Sequence, residues 1–192
     1  MRTKRDDGTK KRVVNVSSVA HNFGAWNFHD IDSEEGFWGY PLLGWVTYGR
    51  TKMANILFTF ELDRRLKAAG VLDFSVNAVH PGVVDTELNR SLTLDFYPQM
   101  KRMGRLITPE QGARGQIEVA VGEAYENVSG KYVAETSGPS ATPLGPKGQH
   151  VVAESSRWSY DRDAAERFWK VSKSMTGAVW ASLGETEQPQ IH

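Results

Sequence analysis

The chain has 192 residues, 23 lysines and arginines balanced by 23 aspartates and glutamates, and no cysteine. That length suits one domain with its own core, and the balance supplies neither the basic footprint of a nucleic-acid binder nor the acidic excess of a solvating segment. Disulfide and thiolate chemistry are excluded, no apolar run approaches the roughly 20 residues of a membrane helix, and the five histidines, His21, His29, His80, His150 and His192, show no metal-ligand spacing. The charged N-terminus lacks the apolar stretch of a signal peptide, so a cytoplasmic chain is the default expectation.

Residues 1–12 read as a solvated polar tail, with Arg2, Lys4, Arg5, Lys10, Lys11 and Arg12 against Asp6 and Asp7. Residues 13–16, Val-Val-Asn-Val, are a short β-rich run of the kind a buried parallel strand shows. It leads into Ser17-Ser18. In parallel α/β sheets the carboxyl ends of strands face the ligand crevice, which puts Ser18 where chemistry happens; the bland reading is a serine that ends a strand. Residues 19–46 form a long connection containing Trp26, Phe28, Phe37, Trp38, Tyr40 and Trp45. Its aromatic content argues against disorder. It reads as a folded insertion giving apolar surface to a substrate, or as a small aromatic core with no ligand.

A helix is expected over residues 47–69. Met53, Ile56, Leu57, Phe60 and Leu66 share a stripe that Phe58 and Leu62 widen, as in a helix buried on more than one side. Gly70 suits its C-terminal cap, and Arg64, Arg65 and Lys67 complement the dipole. Tyr48 and Lys52 stand four apart at its start, on one face. An ammonium there would favour the phenolate and bring tyrosine towards proton exchange at neutral pH. Alone, this spacing is that of an ordinary surface pair. Residues 74–79 read as a second strand, stopped by His80-Pro81-Gly82. Pro81 and Gly82 let the backbone pass close to a flat ligand, Thr86 follows four residues later, and His80 is expected to pack or hydrogen-bond. Beyond the apolar stretch 87–106, Thr108, Pro109 and Gln111 have the pattern that opens a helix, here running to about residue 123. Residues 130–134 suggest a third strand, 137–156 an irregular Gly/Pro/Ser-rich segment, and 160–175 an amphipathic helix with Ala164, Phe168 and Val171 on one face. The division expected is a tail (1–12), an α/β unit (13–135) and a C-terminal segment with a helix (136–192).

Three features occur in this order: Val-Val-Asn-Val-Ser-Ser-Val-Ala-His at 13–21, Tyr48-x-x-x-Lys52, and Val79-His80-Pro81-Gly82-Val83-Val84. With Phe28-His29-Asp30 they resemble the short-chain dehydrogenase/reductase family, and within it the retinol-dehydrogenase-like and WW-domain-oxidoreductase-like branch. The resemblance runs from about residue 13 to 130 and covers the second half of that fold. It implies a partial Rossmann-type parallel sheet, the last three strands with flanking helices. It implies hydride transfer between NADP(H), ahead of NAD(H), and a carbonyl or alcohol, with no metal. Ser18, Tyr48 and Lys52 would be catalytic; Tyr48, Lys52, Pro81, Gly82, Val83 and Thr86 would hold the cofactor; an apolar substrate such as a retinoid, steroid or lipid aldehyde would fit the aromatic insertion. The sequence has no G-x-x-x-G-x-G, no G-x-G-x-x-G and no Asn-Asn-Ala-Gly, the first-half motifs that bind pyrophosphate and complete the proton relay. Strand 13–16 would then be an edge where a covered strand is expected. Two further readings stay open: a non-catalytic remnant acting as a binding or regulatory protein, and a chain whose sheet is completed by a second copy or by a missing N-terminal half.

Overall fold

The structure is a computed structural model that describes residues 9–23, 41–87, 96–136 and 148–179. Four strands form one sheet in the order β1 (Lys11–Val16), β2 (Phe74–His80), β3 (Lys131–Glu135), β4 (His150–Ala153). The first three are parallel, with Lys11 opposite Phe74 through Val16 opposite Val79, and Asn77 opposite Lys131. β4 is antiparallel to β3, pairing His150 with Glu135. Flanking helices are α1 (Pro41–Ala68), α2 (Phe96–Arg102), α3 (Pro109–Val121) and α4 (Arg162–Thr176). The chain is thus an α/β fold with a mainly parallel, partial Rossmann-type sheet.

The core has two layers. On one face α1 lies between sheet and α4: Ile56 meets Ala78, Tyr132 and Ala134, while Met53 and Leu57 meet Ala165 and Phe168. That double burial is why the middle of α1, from Met53 to Leu62, is mostly apolar. Trp169 of α4 stacks on Phe58 at 5.4 Å. On the other face α3 brings Val119 onto Val79 and Val133, with Tyr125 and Val14 alongside. Thr108 and Gln111 close a capping box at the start of α3, with Pro109 in its first turn. Gly70, at φ +67°, ends α1; its N–H donates to the Lys67 carbonyl and that of Val71 to the Leu66 carbonyl, the paired bonds of a left-handed helix stop.

Three expectations change. α1 begins at Pro41, six residues before the expected position 47, because a proline that donates no N–H is tolerated in a first turn. The sheet has a fourth strand, cut from the segment expected to be irregular: Gly148, at φ +78°, turns the chain, and its N–H donates to buried Glu135 Oε1 at 2.7 Å. Lys11 and Arg12 belong to β1, not to a solvated tail. Residues 1–8, the aromatics Trp26, Phe28, Phe37, Trp38 and Tyr40, and Leu88, Leu92 and Leu94 lie outside the described residues.

The Arg12 guanidinium, only 8% exposed, reaches under α3. It donates to the Val119 and Gly122 carbonyls at 3.1 and 2.8 Å and pairs with Glu126. A cation at unpaired helix-end carbonyls satisfies them and opposes the negative end of the dipole. Arg12→Ala is expected to cost about 2–3 kcal/mol in urea unfolding, the usual loss when charge-assisted bonds to buried groups are removed. Arg12→Met should recover only the packing of the stem; full recovery would show that the bonds contribute nothing.

Candidate active site

β1 and β2 end side by side, and the Ser17 N–H donates to the Val79 carbonyl at 2.8 Å. The chain leaves β1 through a 3-10 turn at Val19–Phe23 and leaves β2 through Pro81-Gly82. Helix α1 crosses the end of β1 and is fastened to it. Ser17 Oγ donates to the Lys52 carbonyl at 2.8 Å. Lys52 Nζ and Asn55 Nδ2 both donate to the Val16 carbonyl, at 3.3 and 2.9 Å. Gly49, beside Tyr48, allows the turn and the helix to touch: a Cβ there would lie 2.5 Å from the Ala20 carbonyl oxygen.

These contacts bring Ser18, Tyr48 and Lys52 together. The Ser18 side chain lies close enough to Tyr48 to favour its phenolate, and the Ala20 N–H donates to Ser18 Oγ at 3.2 Å. Lys52 Nζ stands 5.4 Å from the centre of the Tyr48 ring. Trp45 meets Tyr48 edge-on at 5.9 Å, and Phe23 meets Trp45 at 6.1 Å, so an aromatic string runs beside the phenol. The Tyr48 pKa is not lowered as the spacing suggests. Burial pushes the phenol above its ordinary value, and the Ser18 side chain partly opposes this. Burial also lowers the Lys52 pKa.

Pro81, Gly82, Val83 and Thr86 lie at the end of β2, the strand next to that of Ser18. Gly82 has φ +96°, and a Cβ there would come within 2.7 Å of Ile107 and 2.9 Å of Glu135; packing and backbone both require glycine. Val83 is buried. Its carbonyl accepts from the Ile107 N–H at 3.1 Å, and the Asp85 N–H donates to the Ile107 carbonyl at 2.9 Å, pinning the loop.

The sequence reading passed over Ser17, Asn55 and His21, all at this site. Asn55 follows Lys52 by three, a helical spacing that could have flagged it. His21 is almost fully buried and ends the motif 13–21, but its partner lies in the C-terminal part of the chain, a contact no local pattern encodes. Among the described residues no cluster of three His, Cys, Asp or Glu side chains could hold a metal ion, and no helix is long and apolar enough to cross a membrane.

No protein-family model matches the chain. It is 36% identical to human retinol dehydrogenase 12 over 174 residues, covering 88% of this chain and 46% of the relative. It is 34% identical to human retinol dehydrogenase 11, covering 91% and 48%, and 32% identical to human retinol dehydrogenase 13, covering 93% and 50%. A crystal structure of an uncharacterised protein from Mycobacterium paratuberculosis matches with a TM-score of 0.61 at 30% identity, over 88% of this chain and 51% of that one. The chain is a homologue of the retinol dehydrogenases of the short-chain dehydrogenase/reductase family and spans about half the length of the curated relatives it matches.

Proposed function

We propose that this chain carries the proton-transfer half of a nicotinamide-dependent reductase acting on an apolar carbonyl, with the reverse oxidation of the alcohol. The observation that carries the reading is the juxtaposition of Ser18, Tyr48 and the Lys52 ammonium at the carboxyl end of a parallel strand. In reduction Tyr48 gives its proton to the carbonyl oxygen, and the Ser18 hydroxyl donates a hydrogen bond to the same oxygen as charge develops there. Lys52 holds positive charge next to the phenolate left behind. The raised Tyr48 pKa keeps the phenol protonated at neutral pH, which suits the acid role and favours reduction. The string Phe23, Trp45, Tyr48 offers the apolar side of the substrate a surface, in line with the retinol named in the relatives.

The cofactor would supply the hydride. The residues present fit its nicotinamide–ribose end. Lys52 Nζ carries three donors, of which one is directed to Val16, and Pro81, Gly82, Val83 and Thr86 would line the ring from the neighbouring strand. No glycine-rich strand–turn–helix for the pyrophosphate occurs in this sequence. NADP(H) is proposed ahead of NAD(H). Titrating the chain with NADPH and NADH, read by tryptophan-to-nicotinamide energy transfer, is expected to give saturable binding in the micromolar range, tighter for NADPH. No binding up to millimolar cofactor would overturn the catalytic reading for this chain alone and leave a binding or regulatory remnant.

The edge of the sheet favours a second reading. The outer side of β1 pairs with no strand among the described residues, although parallel sheets are normally covered and an apolar edge invites pairing. A second copy, or a polypeptide corresponding to the other half of the relatives, would complete it and add cofactor contacts.

A further inference from the structure

We infer that His21 is a positioning residue: its Nδ1–H holds the Ser18 carbonyl, its Nε2 is anchored on the Ser156 amide, and together these set the serine hydroxyl against Tyr48. His21 Nδ1 lies 2.6 Å from the Ser18 carbonyl oxygen, and the Ser156 N–H donates to Nε2 at 2.9 Å. An amide N–H can only donate, so Nε2 carries the lone pair. The one proton of the neutral ring is then on Nδ1, facing a carbonyl that can only accept. The two contacts fit one tautomer and exclude the other. The ring is 1% exposed and meets Tyr132 of β3 edge-on at 5.0 Å, so it cannot swing away.

Both ends of this tether are firm. Ser156 opens a 3-10 turn, Arg157–Tyr160, whose Ser159 Oγ donates to the Ser156 carbonyl at 2.7 Å. Tyr160 stacks on Phe60 of α1 at 5.5 Å. At the other end, the His21 N–H also donates to the Ser18 carbonyl, and Ala20 packs against Gly49. The Ser18 peptide is therefore held from the imidazole side and the helix side at once. Its hydroxyl accepts from the Ala20 N–H, which leaves its own proton free to be directed at Tyr48. The segment after β4 thus sets the geometry of a residue near the start of the chain.

The inference rests on reading Ser18 and Tyr48 as the reacting pair, so its test includes signals that need no turnover. Long-range proton–nitrogen spectra of the 15N-histidine-labelled chain should show His21 with Nδ1 protonated and Nε2 bare; the opposite tautomer overturns the inference. His21→Asn places an amide N–H near the Nδ1 position and keeps the donor to Ser18. His21→Gln places a carbonyl near Nε2 and keeps only the Ser156 contact. In 13C-tyrosine-labelled protein, Tyr48 should titrate in His21→Asn as in the unaltered chain and at higher pH in His21→Gln, because the Ser18 side chain opposes the upward shift. In turnover, His21→Gln should lose on the order of 10- to 100-fold in kcat with little change in KM, the cost of a misplaced catalytic group. His21→Asn should stay close to the unaltered chain. Identical Tyr48 titration in both variants would sink the positioning role. Absence of turnover in the unaltered chain, with the tautomer and titrations as expected, would remove the catalytic reading and leave the positioning intact.

Discussion

Tyr48→Phe is expected to lower kcat by on the order of 10²- to 10⁴-fold, the range a positioned acid or base supplies, while NADPH affinity should change little. The ring itself has other work. It packs edge-on against Trp45 and lies 5.4 Å from Lys52 Nζ, and phenylalanine preserves both contacts. What disappears is the hydroxyl beside Ser18 that is proposed to give up the proton. A fall in kcat with unchanged binding is the mark of an interaction used in the transition state only. Lys52→Met should behave differently, because Lys52 is proposed to serve both the phenol and the ribose: binding and turnover should weaken together. Turnover by Tyr48→Phe at the unaltered rate would end the proposed role of the phenol. The residual proton transfer would then have to come from water, since Ser18, with its ordinary alcohol hydroxyl, is a poor acid at neutral pH.

The parts of this site that rest on short-range rules could be read before any fold was known. Tyr48 and Lys52 share a helix face by spacing alone, and Ser18 follows a strand-like run, so their meeting needed only the parallel pairing of β1 with β2. The start of α3 was equally legible, because a capping box and an N-terminal proline are local chemistry. The start of α1 was not. Pro41 with Gly44 close behind resembles a loop, since glycine is a poor helix former. β4 was hidden for a related reason: His-Val-Val-Ala is short and flanked by glycine and polar residues, and what recruits it is an edge of β3 together with Glu135, buried and accepting from Gly148. Arg12 read as one more surface cation because its acceptors, the carbonyls ending α3, lie over a hundred residues away. The environment of Tyr48 also escaped the sequence. Spacing placed an ammonium nearby, but burial, which depends on the whole fold, decides the direction of the shift.

Acid should unfold this chain between pH 6.5 and 4, through its buried histidines. His80 is fully buried at the end of β2, and its pKa is pushed down to about 3, first by burial and then by repulsion from His21 and His150. Both ring nitrogens lack a hydrogen-bond partner among the described residues. In the unfolded chain the same histidine titrates near 6.5. Between the two values the unfolded state binds more protons, so stability falls as pH is lowered. The contribution is complete above 6.5 and is lost as pH drops towards 3. At about 1.4 kcal/mol per unit, the fall from 6.5 to about 3 makes His80 alone account for on the order of 5 kcal/mol, against a usual total of about 5–15 kcal/mol for a domain. His21 and His150 act in the same direction, since burial lowers both. For His150 the neighbouring Glu135 and Glu118 oppose the shift, which leaves His80 dominant. The urea midpoint should therefore fall steeply below pH 6.5. His80→Leu separates this cause from general acid denaturation: it deletes a titrating group that makes no hydrogen bond, so stability at pH 7 should be nearly unchanged while the slope below 6.5 flattens. A variant that keeps the full slope would place the acid sensitivity in other titrating groups.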